Sequence, residues 1–361
     1  MRSLNDLPNK IKNIVRNVRL DFHFKKELQE VKKNSKLDFQ SLQPNEIDEV
    51  KQFYKKYGFN NINLRWHEYL FAATGKYYKE YIPENLYHCV IEPIYTRGSS
   101  DLEDKAYMQR MLPGVKMIPN IIKNVRGVFL DEYDNILSIQ SVIDRILSSN
   151  KDLIIKPSRN TGGGARVKKI KVGRFDKLIL DEYKQDYVIQ ECILQHPQYE
   201  EFNASSVNTE KIISFLFKDN VYILTSILRV GAPGACTDTA STGSGYTVGI
   251  GIDGRLNCKG YNIYGDVRYK NANGKNFSDI KLVGHEAICN IIMSAHKMLP
   301  RFGIISWDFA VDKCGEPILI EYNLNYPDIM IYQMNNGPLF GNLTEEVLLD
   351  VKKKMGGKQW D

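Results

Sequence analysis

The sequence of 361 residues lacks any apolar run as long as the roughly 18 residues that a membrane-spanning helix needs. Its first residues contain no apolar core of a signal peptide, so a cytoplasmic location is expected. The six cysteines include no C-x-x-C pair, which indicates free thiols in a reducing compartment rather than a disulfide framework. Internal repeats and low-complexity segments are absent as well.

Strong charge of either sign is also missing. The formal net charge is +6, and the 49 Lys and Arg residues are spread along the chain instead of forming a basic block. Such a mild excess favours anionic small molecules or an anionic surface, so we expect no nucleic-acid partner. Apolar residues make up 43% of the chain, which is enough for a buried core in two or three domains.

The first hundred residues are predicted to be mostly helical and to hold no catalytic constellation. Residues 10–33 have an amphipathic pattern, with basic residues largely off the apolar stripe. The stripe consists of Ile11, Ile14, Val15, Val18 and Phe22. Such a helix packs on its own domain or lies on anionic lipid, so peripheral contact with the inner membrane through residues 10–33 stays open. Further helices are predicted after Pro44, near 64–73 and from Pro83 to about residue 91.

From Asp104 onward the pattern changes to mixed strands and helices. The predicted strands are 127–130, 152–156, 167–172, 186–193, 212–217, 222–228, 248–252 and 256–259, and the predicted helices include 284–299 and 344–355. Arg229 is placed just beyond the end of its strand. A stretch rich in Gly, Ser and Thr follows at 231–247 and is suited to a mobile substrate loop.

Residues 304–325 are predicted to form two antiparallel strands around a turn at 313–316. This turn places Asp308 directly opposite Glu321, with Asn323 on the same face. Opposed side chains on such a pair stand about 5 Å apart at Cβ, so the two carboxylates repel unless a cation or a proton joins them. Oxygen ligands of this kind suit Mg²⁺ before Ca²⁺. A solvated hairpin face is the alternative interpretation.

The other face of this hairpin is predicted to belong to the core. It carries Ile305, Trp307, Phe309 and Val311 against Ile318, Ile320, Tyr322 and Leu324. Strict alternation places Leu319 on the acidic face.

A second candidate site lies between two predicted strands. Lys156 ends the first strand, and Gly162, Gly163 and Gly164 follow in the loop before the second. Glycines let backbone N–H groups approach an anion closely, and Lys156 can place a charge on the same phosphates. The loop matches neither a Walker P-loop nor a Rossmann glycine pattern, and an ordinary hairpin loop is the alternative.

The predicted strand 186–193 ends in a polar and acidic pair, Gln190 and Glu191. The main chain after such a strand can offer one N–H and one C=O group to the edge of an adenine. Strand ends with these residue types are common, so a purely structural role is the alternative.

In this order, the pieces resemble the ATP-grasp superfamily, and more closely its sugar-transfer-associated branch from bacterial polysaccharide loci. The resemblance covers about residues 60–330. The stretches that carry it are Lys105 before PGVK, then IIKPSRNTGGGARV, YVIQECI, SSVNTEK, AHKMLP, SWDFAVD and ILIEYNLN. This chain has Lys211 where the branch tends to have Arg, which keeps the charge but not the bidentate geometry.

The resemblance implies an α/β (α+β) fold, with an ATP-grasp core after a mostly helical N-terminal region. It divides the chain into a helical region at 1–100, a nucleotide lid at 101–190 and a metal and substrate subdomain at 191–361. Lys105 and Lys156 would bind the phosphates of ATP, and Gly162–Gly164 would close over them. Gln190, Glu191 and Ile193 would frame the adenine, while Asp308, Glu321 and Asn323 would hold Mg²⁺. The residues implied in catalysis are Lys156, Arg229, Asp308 and Glu321, with Arg229 on the transferred phosphoryl group.

The activity implied is that of an ATP-dependent, ADP-forming carboxylate–amine ligase that acts through an acyl phosphate. Its partners would be a small-molecule or glycan carboxylate and an amine, for example a sugar acid and an amino acid in cell-surface polysaccharide synthesis. Two other classes stay open: an ATP-grasp kinase that phosphorylates a small molecule or sugar, and a non-catalytic ATP-binding scaffold.

Overall fold

The computed structural model describes residues 9–39, 41–96, 100–159, 164, 166–235, 237–238, 244–325, 328–356 and 360; of residues 9–17, 100 and 101 it describes the backbone alone. The chain divides into two compact units. Unit 1 consists of Met1–Arg97, Ile263–Val267 and Tyr326–Asp361, and unit 2 of Gly98–Asn262 and Arg268–Asn325. The division at 1–100, 101–190 and 191–361 stays a prediction.

Helices dominate the first hundred residues, as predicted. In chain order the helices are α1 (Asn9–Asn34), α2 (Pro44–Lys56), α3 (Arg65–Thr74), α4 (Glu84–Leu86), α5 (Glu92–Tyr95), α6 (Met108–Met111), α7 (Ile139–Leu147), α8 (Leu178–Tyr183), α9 (Pro197–Glu200), α10 (His285–Ala295), α11 (Met330–Asn336) and α12 (Thr344–Lys354). A π-helical turn, Tyr87–Ile91, joins α4 to α5. Within the described ranges, no helix has the length and apolarity that crossing a membrane requires.

Helix α1 covers the predicted amphipathic segment but turns a different face inward. Phe24 and Leu28 are buried, whereas Val18 and Phe22 are 65% and 70% exposed. The prediction that this stripe packs on its own domain is therefore wrong for Val18 and Phe22. The side chains of Ile11, Ile14 and Val15 lie outside the described part of the chain.

His88, a buried residue of the π-helical turn in unit 1, contacts one glutamate just before the turn and one just after it. His88 Nε2 lies 2.9 Å from Glu84 Oε2, and its Nδ1 lies 2.9 Å from Glu92 Oε2. Burial acts to lower the pKa of His88, but the hydrogen bonds to both carboxylates prevail and raise its pKa to about 10. Glu84 also accepts the backbone N–H of Ile329, at 2.9 Å, just before α11. The cluster therefore fastens the turn to the start of α11.

Unit 2 is built on two sheets. The strands are β1 (Asn120–Val125), β2 (Val128–Leu130), β3 (Leu153–Pro157), β4 (Lys168–Ile170), β5 (Tyr187–Glu191), β6 (Thr209–Phe217), β7 (Asn220–Val230), β8 (Tyr246–Ile250), β9 (Leu256–Tyr261), β10 (Val267–Arg268), β11 (Ile304–Val311) and β12 (Pro317–Asn323). The five-stranded sheet has the order β2-β1-β5-β3-β4 and the seven-stranded sheet the order β10-β9-β8-β7-β6-β11-β12. Each neighbouring pair with a described register runs antiparallel. This mixture of helices and antiparallel sheets confirms the predicted α/β (α+β) class.

The β11–β12 hairpin has the predicted register at its acidic positions and a different one beyond them. Asp308 pairs with Glu321, but a bulge between Asp308 and Phe309 pairs Phe309 with Leu319. The slip of one residue turns Leu319 into the core and leaves Ile320 at the edge of a cleft. The predicted core position of Ile320 is therefore wrong, because strict alternation does not hold across the bulge. Ile318 is buried, but it pairs with Ala310 and does not join the cluster that contains Trp307 and Tyr322.

One face of the seven-stranded sheet is covered by α10. Ile288 and Ile292 of α10 join Trp307, Phe309 and Tyr322 in one buried cluster. The apolar pattern of 284–299 predicts Ala287 and Met298 on or near the inner face of this helix. Both are exposed, and Met298 lies just past the end of α10, so the prediction is wrong at these two positions. The opposite face of β7, β11 and β12 remains for polar side chains, and those side chains line the cleft described next.

Candidate active site

Both sheets of unit 2 contribute side chains to a single cleft. Lys156 comes from β3 and Gln190 from β5, while Arg229, Asp308 and Glu321 come from β7, β11 and β12. The described apolar side chains of the cleft are Met108, Met117, Ile118, Ile154, Pro157, Val167, Ile193, Val207, Leu319 and Ile320. The cleft thus combines an apolar wall with a group of charged side chains, as a site for a nucleotide requires.

The acidic pair lies among cations. Asp308 is 2% exposed; its Oδ1 is 2.9 Å from Lys211 Nζ, and its Oδ2 is 3.1 Å from Arg229 Nη2. Glu321 Oε2 is 2.9 Å from Lys105 Nζ. Burial raises the pKa of Asp308. Burial acts in the same direction on Glu321, but Lys105 and other nearby lysines prevail and lower its pKa to about 2. Glu321 is therefore ionised at neutral pH.

The two predicted phosphate ligands, Lys105 and Lys156, lie on the same side of the cleft. Lys156 is 8% exposed, and burial together with the charge of Lys105 lowers its pKa to about 8. The backbone N–H of Lys105 donates to Ser158 O at 3.0 Å, and its carbonyl accepts from Asn120 Nδ2 at 2.8 Å. These contacts fix the segment of Lys105 to the end of β3 and to β1.

Arg229 lies within β7, opposite Thr209 and Thr247, so the prediction that placed it beyond the strand is wrong. Its Nε and Nη2 donate to Asp238 Oδ2 and Oδ1 at 2.8 and 3.1 Å. The Thr209 hydroxyl donates to the same carboxylate. This bidentate pair holds the guanidinium in one plane next to Asp308.

The side chain of Gln190, which also lines the cleft, forms hydrogen bonds to other groups of the protein. Its Nε2 donates to Ile118 O and to Asn120 Oδ1, both at 2.9 Å. Glu191 forms an ion pair with Lys151 at 2.5 Å. Gln190 and Glu191 therefore hold the end of β5 in place, and Ile193 contributes to the apolar wall beside it.

The structure describes the four remaining candidates to different extents. Gly164 lies at the cleft and has a φ of +68°, which favours glycine. Gly162 and Gly163 lie outside the described residues. Asn323 pairs with Ser306, two positions along β12 from Glu321, and does not contribute to the cleft wall. Its buried Nδ2 has no hydrogen-bond partner among the residues described, so no described protein group fixes which way the amide nitrogen points.

Asn120, Thr209 and Lys211 each bond to a site residue, although no site role was predicted for them. Thr209 and Lys211 stand two residues apart on β6, so period-two alternation could have placed both on one face. Asn120 gave no such signal, because its strand was not predicted.

In the described parts of the chain, no group of three or more His, Cys, Asp or Glu side chains is arranged for a metal ion. The candidate metal ligands are two carboxylates, Asp308 and Glu321, and one amide, Asn323. Such a set leaves coordination positions for water and phosphate oxygens, which is how Mg²⁺ is usually bound in nucleotide sites.

The cleft of unit 2 thus brings lysines and two opposed carboxylates together between its two sheets. Residues 95–347 match the family described as "Sugar-transfer associated ATP-grasp". The chain belongs to this family, as the resemblance predicted.

Solved structures with a similar fold have low sequence identity to this chain. The biotin carboxylase domain of 2-oxoglutarate carboxylase from Hydrogenobacter thermophilus is 12% identical, with a TM-score of 0.43 over 72% of this chain and 47% of that one. N5-carboxyaminoimidazole ribonucleotide synthetase from Thermotoga maritima is 11% identical, with a TM-score of 0.37 over 63% and 43%. The ATP-grasp ligase PsnB, bound to a precursor peptide and AMPPNP, is 14% identical, with a TM-score of 0.41 over 70% and 60%. No curated protein matches the sequence significantly.

Proposed function

We propose that the protein is an ATP-dependent, ADP-forming carboxylate–amine ligase. Membership of the ATP-grasp family supports nucleotide binding in the cleft. The observation that carries the proposal is the pairing of Asp308 with Glu321 at opposed positions of one hairpin, beside Lys105. Lys105, Lys211 and Arg229 offset the charge of this pair in the protein alone, and a divalent ion bound with the nucleotide would take the same carboxylate oxygens as ligands.

ATP and Mg²⁺ fit the residues that are present. Asp308 and Glu321 offer carboxylate oxygens, and Asn323 can turn its amide oxygen to a ligand because no described group binds its Nδ2. Lys105 and Lys156 would bind the phosphates. When bound, Mg²⁺ neutralises charge that develops on the transferred phosphoryl group.

The side chains of the cleft would act mainly by binding and orienting the reactants. Lys156 and Lys105 offset phosphate charge, and Arg229, held in plane by Asp238, orients the transferred phosphoryl group. An acceptor carboxylate is already ionised at pH 7, so its attack on the γ-phosphorus needs no base. ADP leaves, and an amine then displaces phosphate from the acyl phosphate. The loop predicted at 231–247 would exclude water from this intermediate; its residues 236 and 239–243 lie outside the described part of the chain.

The hydrogen bonds of Asp238 argue against the alternative of a kinase. Transfer to a hydroxyl gains from a carboxylate that accepts the proton. Asp238 already accepts from Arg229 and Thr209, so it is not poised for that role. The geometry therefore favours the ligase.

The family's description as sugar-transfer associated supports a biological setting in sugar chemistry. The acceptor would be a sugar acid and the second substrate an amino acid or another amine, in cytoplasmic steps of cell-surface polysaccharide or capsule synthesis. Contact of α1 with the inner membrane would be consistent with its exposed Val18 and Phe22. The alternative of a non-catalytic scaffold predicts ATP binding without turnover.

The test is to supply candidate sugar acids and amines singly and together, with Mg²⁺ and ATP. We expect ADP and inorganic phosphate only when both substrates are present, and a hydroxamate when hydroxylamine replaces the amine. A stable phosphorylated product without free phosphate would indicate a kinase. ATP binding with no turnover on any combination would indicate a scaffold.

A further inference from the structure

A chain of buried polar side chains lies in unit 2 on the face of β6 opposite the cleft. Glu210 of β6 is 0% exposed, accepts a hydrogen bond from the hydroxyl of Tyr199, and lies 2.5 Å from His285 Nδ1. On the far side of the imidazole ring, Nε2 lies 3.6 Å from Cys289 Sγ. The order is therefore carboxylate, imidazole, thiol.

The positions of the three residues on α10 and β6 explain this order. His285 is the first residue of α10 and Cys289 is four residues later, so both side chains lie on the same face of the helix. Glu210 meets the ring from β6, which α10 covers. A carboxylate on one ring nitrogen orients the imidazole and stabilises its charged form, so that the other nitrogen faces the thiol as a proton donor or acceptor.

The charge of the ring follows from its surroundings. Burial acts to lower the pKa of His285, but hydrogen bonds with Cys289 and Glu210 prevail and raise its pKa to about 10. The groups that face the ring are Tyr199 from α9, Glu210 from β6 and Cys289 from α10. Asp253, Lys281 and Glu286 line a cavity on which His285 also opens. A cationic ring beside the sulfur favours the thiolate, which is the reactive form of cysteine.

We propose that Cys289 is a modification site that reacts with small oxidants of the peroxide class, with His285 and Glu210 as its activating pair. The thiolate sulfur attacks one peroxide oxygen; an S–O bond forms and the O–O bond breaks. The imidazolium gives its proton to the departing hydroxide, so the products are a sulfenic acid, water and a neutral imidazole. Sulfur is oxidised and the peroxide is reduced, without a further reactant. Cys289 is 8% exposed, so the site admits a small reagent such as hydrogen peroxide. This inference is independent of the proposed ligase activity.

The test compares thiols within the same folded chain. Cys258 and Cys314 are exposed and serve as ordinary references. The full chain is treated with hydrogen peroxide, or separately with iodoacetamide, between pH 6.0 and 8.5, and the modification rate at each cysteine is measured by peptide mass spectrometry. Each rate is normalised to its own value at pH 8.5, which removes the effect of burial.

For an ordinary thiol with a pKa near 8.5, the rate falls about 150-fold over this range. Because His285 faces its sulfur, we expect a fall at Cys289 that is at least about tenfold smaller than the fall at Cys258. His285→Gln should give Cys289 the profile of Cys258, and Cys289→Ser should remove the signal. A parallel fall of Cys289 and Cys258 in the wild type would overturn the proposal, as would a Cys289 that is modified only after unfolding in urea. If His285→Gln does not fold, the comparison of Cys289 with Cys258 in the wild type still tests the proposal.

Discussion

Lys105 Nζ lies 2.9 Å from Glu321 Oε2, which joins a residue from the segment before the five-stranded sheet to the last strand of the seven-stranded one. The lysine also has its backbone bound to the end of β3 and to Asn120. A lysine so placed can bind the carboxylate or a phosphate oxygen with a small movement of its side chain. The candidate phosphate ligand and the candidate metal ligand are therefore neighbours, and the predictions below test them separately.

Glu321→Gln should abolish Mg²⁺-dependent ATP turnover and leave the fold intact. The change keeps the shape of the side chain but removes the negative charge that a divalent ion needs. We expect ADP formation to fall by at least about 100-fold, since the variant loses a ligand that acts on the reacting phosphates. Glu316→Gln, on the exposed turn of the same hairpin, is the matched control. Wild-type turnover in Glu321→Gln would remove Glu321 from the metal site.

Lys156→Met should weaken ATP binding by roughly 1.5–3 kcal/mol, the scale of a hydrogen bond to a charged group. Methionine keeps most of the buried volume and removes the charge. Isothermal titration calorimetry with Mg²⁺ and ATP would measure the change, with the exposed Lys171→Met as control. Equal affinity of wild type and Lys156→Met would make Lys156 a structural residue.

The pKa of Lys156 gives ATP binding a pH dependence. Burial lowers this pKa to about 8, so the side chain is charged at pH 7 and mostly neutral at pH 9. A neutral lysine binds phosphate weakly, so the Kd for ATP should rise by up to about tenfold from pH 7 to pH 9. Lys156→Met should show no such rise over this range. A wild-type Kd that stays constant would mean that another group supplies the charge.

Arg229→Lys should lower ADP formation by about 10- to 100-fold, because lysine keeps the charge but cannot bind Asp238 with two parallel hydrogen bonds. Asp238→Asn should produce a similar loss by freeing the guanidinium to turn. Arg255→Lys, in an exposed ion pair with Asp253, is the control. If Asp238→Asn retained full activity while Arg229→Lys did not, Asp238 would have no part in orienting Arg229.

The strand register around Asp308 and Glu321 was the part of the site that could be predicted best from the sequence. The pairing of Asp308 with Glu321 follows from alternating apolar residues and one short turn, which are both local patterns. Strict alternation failed as a rule one residue further along the hairpin. A bulge depends on packing across the sheet, so the alternation of apolar and polar residues does not reveal it. Leu319 therefore joins the cluster that contains Trp307 and Tyr322, where strict alternation had placed Ile320.

Two kinds of element were not predicted from the sequence. One is a strand with buried polar residues, and the other is a helix with apolar residues on every side. Strand β1 carries Asn120, Lys123 and Asn124 in buried positions, so it does not have the sequence pattern of a strand. These residues are satisfied by distant partners; Lys123, for example, pairs with Asp134 at 2.5 Å. Helix α11 is buried almost throughout and has no amphipathic period to detect. The contact between Arg229 and Asp238 likewise depends on the path of a loop, which no local pattern specifies.

His88→Leu should destabilise unit 1 by about 3–5 kcal/mol, because it leaves Glu84 and Glu92 buried without a cation. The pKa of His88 is raised to about 10, so its contribution is complete below its unfolded value near 6.5 and is lost as the pH rises toward 10. Urea unfolding at pH 6 and pH 9.5 would measure both effects. His23→Leu, on the exposed face of α1, is the control. Equal stability of wild type at the two pH values would contradict a charged His88.

The β11–β12 hairpin also bears on how such a protein can diverge. Asp308 and Glu321 are placed by the backbone ladder of a single short segment, whereas Asp238 comes from a separate stretch rich in Gly, Ser and Thr. Insertions and substitutions within 231–247 leave that ladder untouched. Selection can therefore change the acceptor by altering one stretch of the gene while the hairpin is inherited unchanged, and relatives that differ in substrate should differ first in this loop.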